Sequence, residues 1–257
     1  MSAKISAFVP AYNFELQIGA ALESLQWANE IVVIDSNSAD RTAAIAAEHG
    51  AKVVQEDFCG LGRLRNAGIE HTTHDWIFRL DTDERCTPEA RDEIIRLVDS
   101  TDAADAYHTP RRSFFMGRFI RHGGWNPNYR QPQLFRRGRM TFPEDDLVHE
   151  GFCLDGCLGE MQCAIEQESF ETLSDVLHTA NRYSPLSAEK LARDGCRTGL
   201  LGAMIHGLDM FFKMCLLRLG FLDGWPGFVV AWSNLEGTFY KYAKLAGLNR
   251  KGRKRGE

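Results

Sequence analysis

The sequence predicts an α/β protein on a doubly wound, mostly parallel sheet, followed by a helical C-terminal extension. Three observations predict it. Over the first hundred residues, β-branched apolar runs alternate with stretches of helical periodicity, in the order β-α-β-α-β-α-β. One of the runs, "EIVVIDS" (30–36), is unbroken by polar residues until its end, the pattern of a parallel strand buried on both faces. From about residue 171 the chain turns helical. The expected division is residues 1–170 for the sheet domain and 171–257 for a helical region.

The elements follow in order. "KISAFVPAY" (4–12) is the first strand, and "LQIGAALESLQWA" (16–28) places its apolar residues at helical spacing. After the second strand, Ser38 precedes the alanine-rich helix "ADRTAAIAAEHG", stopped by Gly50. "AKVVQED" (51–57) is the third strand and "GRLRNAGIEHT" (62–72) the next helix. "DWIFRLD" (75–81) is the fourth strand. "TPEARDEIIRLVDS" (87–100) opens with Thr87 as N-cap and Pro88 at the first helical position. Short β-like pieces, "AYHTPRRSFF" and "QPQLFRR", lie between Gly-, Pro- and Asn-rich loops. Then come "ETLSDVLHTANRYS", "PLSAEKLARDG" and a long apolar segment after Thr198. In that segment Leu200, Met204, Leu208, Phe211, Phe212, Cys215 and Leu219 form one stripe. Asp209 and Lys213 form an i,i+4 pair on the other side.

Bulk properties narrow the function classes. A net charge of −5 over 257 residues gives no sign of a general nucleic-acid binder. The charge is uneven, because from Lys241 onward seven Lys or Arg stand against one Glu, which points to an anionic surface as partner. Seven scattered cysteines and no visible secretory signal predict a reducing, cytoplasmic setting. His149, Cys153, Cys157 and Cys163 match no standard zinc spacing. The interleaving of Cys153 and Cys157 with Phe152, Leu154 and Leu158 reads them as small core residues. Asp209, Lys213 and Arg218 interrupt the best apolar stretch, so no uncharged run reaches the ~18 residues of a membrane span.

The chemistry concentrates in "FRLDTDE" (78–84), where Asp81, Asp83 and Glu84 crowd three carboxylates into four positions. Such groups repel unless a cation sits between them. In open α/β sheets ligands bind beyond the carboxyl ends of the strands. Asp35 and Asp81 both stand at such ends, so a ligand is expected there, and from the residues alone the cluster reads as a divalent cation site or as a solvated strand-to-loop corner. "VPAYN", "IDSNSADRT", "RLRNAG" and "LDTDE", in that order, resemble the family 2 glycosyltransferases of the GT-A fold. The resemblance implies a UDP-sugar donor and a Mn²⁺ or Mg²⁺ ion. It implies Asp83 as metal ligand with Asp81 assisting through metal or ribose, and Asp35 accepting from the uracil N–H. Pro10, Ala11, Tyr12 and Asn13 would line the donor site, with Tyr12 against the base and Arg65 near base or phosphate. From the residues alone, simple packing for Tyr12 and a surface charge for Arg65 stand as alternatives.

Transfer also needs a base for the acceptor hydroxyl. "FPEDDLVHEGF" (142–152) offers Glu144, Asp145, Asp146 and Glu150. Glu150 is the first choice and Asp146 the second. His149 is a further metal ligand, a diphosphate contact or a structural histidine. The run from His122 to Glu150 and the helical end resemble enzymes that extend the lipopolysaccharide core. Asn126, Asn128, Gln131 and Gln133 depart from their pattern. That resemblance implies an inverting transfer of a hexose, glucose first, to a lipid-linked saccharide. The enzyme would sit on the inner face of the cytoplasmic membrane. Trp225, Phe228, Trp232, Phe239 and Tyr240 would meet the membrane or else fill a core between helices. Two other classes compete. A sugar-phosphate nucleotidyltransferase needs a Gly-rich loop after the first strand, and "VPAYNFELQIG" has none. A non-catalytic scaffold of the same fold has no need of the D-x-D or the later carboxylates.

Overall fold

The computed structural model describes residues 3–126, 130–144, 151–170 and 172–255. The chain forms two compact units, residues 1–112 with 129–167 and residues 113–128 with 168–257. The first unit starts with β1 (Ile5–Ala11), α1 (Ile18–Glu23), β2 (Glu30–Asp35), α2 (Thr42–Glu48) and β3 (Lys52–Gln55). It continues with α3 (Leu61–His71), β4 (Trp76–Arg79), β5 (Glu84–Arg85) and α4 (Pro88–Val98). Then come β6 (Ala106–Phe115), β7 (Arg118–Phe119), β8 (Arg130–Arg136), β9 (Met140–Thr141), β10 (Cys153–Leu154), β11 (Leu158–Glu160) and β12 (Ile165–Phe170). The unit boundaries fall within β6 and β12.

The doubly wound sheet is present. Its order is β3-β2-β1-β4-β8-β6-β12-β5, with the four leading strands parallel and β8 antiparallel to both β4 and β6. Strand alternation explains the unbroken apolar runs. Ile5, Ala7, Val9 and Ala11 of β1, with Val33 and Phe78, face a core closed by Ile18 and Leu22 of α1 and Ile94 of α4. Phe8, Val32, Ile34 and Ile77 face the other way, against Leu64 of α3. Both faces of each strand are therefore buried, as period-two alternation requires of a sheet covered on both sides.

Pairing of β1 with β4 ends at Phe8, whereas pairing with β2 continues to Ala11 opposite Asp35. Pro10 has no N–H to extend the ladder towards β4. The strands therefore part at the carboxyl edge, between the chain neighbours where the strand order reverses.

The helical caps follow the sequence. The Thr87 hydroxyl accepts from the Ala90 N–H, and Gly50 takes φ +77° just past α2. Helix α1 is shorter than its periodicity predicts. Beyond Glu23, i→i+3 bonds take over (Leu25 N–H to Leu22 O, 3.1 Å), and the Ser24 hydroxyl donates to the Ala21 carbonyl. Gly68 of α3 is required by close approach, because a Cβ there would lie on the ring of Phe8. Gly68→Ala is expected to destabilise the first unit by about 1–3 kcal/mol through overpacking. A denaturant titration with an unchanged midpoint would remove that account.

Cys153 and Cys157 are exposed, not the small core residues their apolar neighbours predict. β10 and β11 are short strands, and only Phe152 and Leu154 of this stretch pack on the core, partly buried.

The second unit contains α5 (Leu173–Arg193), α6 (Leu200–Phe212), a π turn (Lys213–Leu217), a 3₁₀ turn (Gly220–Asp223) and α7 (Gly224–Arg255). The two helical stretches expected around Pro185 are one helix. Buried Val176, Ser184 and Ala188, spaced by multiples of four, run along one face past the proline. Ser184 accepts a 2.8 Å hydrogen bond from Lys244 of α7. The core of this unit joins Phe115, Ile120, Val176, Met214, Cys215 and Val230.

The stripe expected on α6 is not its packed face. Ala203 and Gly207 are buried, while Leu200, Met204, Leu208, Phe212 and Leu219 are exposed. Asp209 and Lys213 form no ion pair among the described residues, although the Lys213 N–H still bonds the Asp209 carbonyl. Leu200–Leu217 is long and apolar enough to cross a membrane by length and composition, and 22% of it is buried.

Candidate active site

Two loops at the carboxyl edge are zipped together by short polar side chains. Asp35 ends β2 fully buried, and its carboxylate accepts from both the backbone N–H and the hydroxyl of Ser38. The Ser38 hydroxyl then accepts from the Asn13 N–H at 2.9 Å, and the Asn13 side chain accepts from the Ala39 N–H at 2.8 Å. Asp40 accepts from the Thr42 and Glu15 N–H groups, and Thr42 accepts from the Phe14 N–H. Asn13 and Asn37 both adopt left-handed backbone (φ 56° and 58°), which asparagine tolerates better than most residues. The spacing D-x-x-S-x-D-x-T is thus a local hydrogen-bonding device that fixes the β1 loop. Pro10 and Ala11 lie in β1, and Tyr12 follows it, 42% exposed.

The D-x-D turn separates three carboxylates by giving each a different partner. Asp81 receives Arg79 Nη1 at 2.7 Å, with Arg65 Nη2 at 3.9 Å. Burial would raise its pKa, but the Arg79 and then the Arg65 guanidinium outweigh burial and hold it low. Glu84 is completely buried. It accepts from Arg111 Nη1 (2.9 Å), from Gln133 Nε2 (2.6 Å) and from the Asp81 N–H (2.9 Å). Burial, and then the Asp81 charge, still push its pKa up.

Asp83 is half-buried and accepts from Gln167 Nε2 at 2.8 Å. It has no ion pair among the described residues. Burial, reinforced by Glu84 and Asp81, pushes its carboxyl up to about 7. Gln167 reaches it because β12 pairs antiparallel with β5, placing Gln167 opposite Glu84.

The "RLRNAG" helix holds this turn and the strand beside it. Arg65 is buried, not a surface charge. It pairs with Asp81 and lies over the Phe142 ring, 5.4 Å from its centroid. Asn66 clasps the Phe142 backbone with its amide, donating to the carbonyl and accepting from the N–H, both at 2.9 Å. Phe142 precedes the segment that carries the expected base.

The structure therefore brings together Tyr12, Asn13, Asp35, Arg65, Asp81 and Asp83 at one edge of the sheet. Asp145, Asp146, His149 and Glu150 lie outside the described residues, and Glu144 is exposed near Arg63. Arg79, Arg111, Gln133, Asn66 and Gln167 were not singled out as site residues by the sequence. For Arg79 a signal existed, since an arginine inside the apolar strand "WIFR" needs a carboxylate partner; the three neutral amides carry none.

A divalent cation fits this arrangement. Among the described residues no set of three His, Cys, Asp or Glu forms a complete cage. Mg²⁺-type sites commonly use one or two carboxylates and complete their shell with substrate phosphates and water. Asp83 is the carboxylate left without a cation, whereas Asp81 and Glu84 have theirs.

Comparison with known proteins identifies the family. Residues 6–154 match the Glycosyl transferase family 2 profile. The chain is 26% identical over 259 residues to the lipopolysaccharide core biosynthesis glycosyltransferase LpsC of Rhizobium meliloti, covering 94% of each chain. It is 25% identical over 257 residues to an uncharacterized glycosyltransferase of Rickettsia felis, covering 94% of this chain and 89% of that one. Among solved structures, mannosyl-3-phosphoglycerate synthase from Rubrobacter xylanophilus is 23% identical. That match covers 43% of this chain and 41% of that one, with a TM-score of 0.39. With the family profile spanning more than half its length, the chain belongs to glycosyltransferase family 2.

Proposed function

We propose that the protein is an inverting hexosyltransferase. It moves a hexose, glucose first among candidates, from a UDP-sugar to a sugar hydroxyl of a lipid-linked glycan such as the lipopolysaccharide inner core. It works as a peripheral protein on the inner face of the cytoplasmic membrane, with residues 1–170 as the transferase domain and 171–257 facing the membrane. The observation that carries the transferase reading is Asp83, the carboxylate of the D-x-D turn without an ion pair among the described residues. The relative named for lipopolysaccharide core biosynthesis, similar over nearly the full chain, supports the acceptor class.

Tyr12 stacks on the base, and Pro10, Ala11 and Asn13 shape the loop beneath it. Asp35 receives the uracil N–H once the nucleoside displaces part of its bonding to Ser38, since it is buried without ligand. Arg65 holds Asp81 against the ribose side of the site. Asp83, with Asp81 and His149 as the further ligands proposed, would hold Mn²⁺ or Mg²⁺, which when bound supplies Lewis-acid charge at the diphosphate.

The acceptor oxygen attacks the anomeric carbon as the bond to the UDP oxygen breaks, through an oxocarbenium-like state. The acceptor proton passes to Glu150, with Asp146 the second choice. One displacement with a single base inverts the anomeric carbon.

Incubation with UDP-, GDP- and TDP-sugars and a divalent ion tests the reading. UDP release that EDTA abolishes is expected. Release of a different nucleotide, or turnover indifferent to EDTA, would overturn the donor or the metal.

A further inference from the structure

The second unit has an uncovered apolar face that the transferase reaction does not use. Helix α6 is apolar on most of its circumference, broken only by His206 and Asp209, a pattern closer to a covered helix than to one with a wide solvated face. One side packs on α7 through Ala203 and Gly207, and His206 stacks on Tyr242 with centroids 4.1 Å apart. The opposite side presents Leu201, Ile205, Leu208 and Phe212 at i, i+4, i+7 and i+11, all exposed. The face continues through Leu216 and Leu217 of the π turn to Phe221, Leu222 and Trp225. Of the exposed large apolar residues in the chain, 14 of 24 fall between Leu200 and Trp232. Surfaces of this extent mark an interaction site.

Charge decides the occupant. The residues of the second unit include 15 Lys or Arg against nine Asp or Glu, in a chain whose net charge is −5. The first unit is therefore strongly acidic and the apolar-faced unit basic. Two copies meeting through this unit would repel, whereas an anionic lipid surface would attract it. The aromatic residues fit the same occupant, since Trp225, Phe228 and Trp232 are about half exposed and Trp suits the headgroup level.

We propose that α6 and the two turns after it lie in the plane of an anionic bilayer, with the outer side of α6 immersed. In this arrangement α6 stays packed on α7 and does not span. The proposal deepens the reading of a lipid-linked acceptor and rests on it. It moves the immersed element from the aromatic stretch at residues 225–240 to α6 and the two turns, and leaves the basic tail its electrostatic role.

The face is also tied to the segment whose sequence resembles the acceptor region. Asp223, between Leu222 and Trp225, is nearly buried. It accepts from the backbone N–H groups of Arg121 (3.2 Å) and His122 (2.8 Å) and faces His122 Nδ1 at 2.9 Å. Docking would therefore fix the "HGGW" turn at the lipid surface, where a lipid-linked sugar is presented.

The test uses the full chain and its double variant I205N/F212N. Both are sedimented with phosphatidylglycerol/phosphatidylcholine vesicles and with phosphatidylcholine alone, at low and high salt. The wild type should pellet with anionic vesicles and keep part of its binding at high salt, because apolar contact is not screened. The variant should lose that salt-resistant part by about tenfold or more, while UDP-sugar hydrolysis and thermal midpoint stay unchanged. Tryptophan fluorescence of the wild type should be quenched by lipids brominated on the acyl chains. Three results would each overturn the proposal: a wild type that ignores anionic vesicles, a variant that binds like wild type at high salt, or unquenched tryptophan in the pelleted protein. A wild type found dimeric by light scattering, with the variant monomeric and neither binding vesicles, would assign the face to a second copy instead. Intact hydrolysis alongside failed docking would leave the transferase reading standing.

Discussion

Asp83→Asn is expected to abolish glycosyl transfer and Mn²⁺ binding while leaving the protein folded. Among the described residues Asp83 is the carboxylate of the cluster that forms no ion pair with a guanidinium. Its pKa is pushed up to about 7 by burial and by Glu84 and Asp81, so in the metal-free protein it holds a proton below that pH. A cation must displace that proton, and apparent Mn²⁺ affinity should climb by up to about tenfold per pH unit below pH 7 and level off above it.

The stability sign follows from the same shift. The unfolded carboxyl titrates near pH 3.9, so between there and about pH 7 the folded state binds the extra proton. Metal-free stability therefore falls as pH rises through that window, and the loss is complete above pH 7. The amide carries no such cost, so the variant should be at least as stable as the wild type above pH 7 without metal. Calorimetric Mn²⁺ titrations and thermal unfolding at several pH values check both. Near-normal turnover in the variant with unchanged metal dependence would end the assignment of Asp83.

Glu150→Gln is expected to cut turnover by about 10²–10⁴-fold, the usual contribution of a general base, with little change in donor affinity. Glutamine keeps the shape and cannot accept the acceptor's proton. Steady-state kinetics with donor and acceptor varied separately distinguish a fall in kcat from a rise in KM. If Asp146→Asn produces the loss and Glu150→Gln does not, the base is Asp146.

The linear pattern determined the layout of the sheet and the edge that carries the chemistry. Burial on both faces demands unbroken apolar runs, and a strand's carboxyl end is where such a run stops, so Asp35 and Asp81 were placed before any coordinates. Caps behaved likewise, because Thr87 acts on a neighbour three residues away. Partners far apart in sequence were not legible. Gln167 reaches Asp83 across 84 positions and Gln133 reaches Glu84 across 49, through strand pairings that local periodicity does not encode. The sequence presented three equivalent carboxylates. Only the tertiary structure separated them, by supplying Arg79 to one, Arg111 to another and a neutral amide to Asp83. The same limit applied to α6, where large apolar residues on several sides leave the inward side undefined. Its packed side was decided by which residues are small enough to meet α7, Ala203 and Gly207, and the larger ones were left facing out.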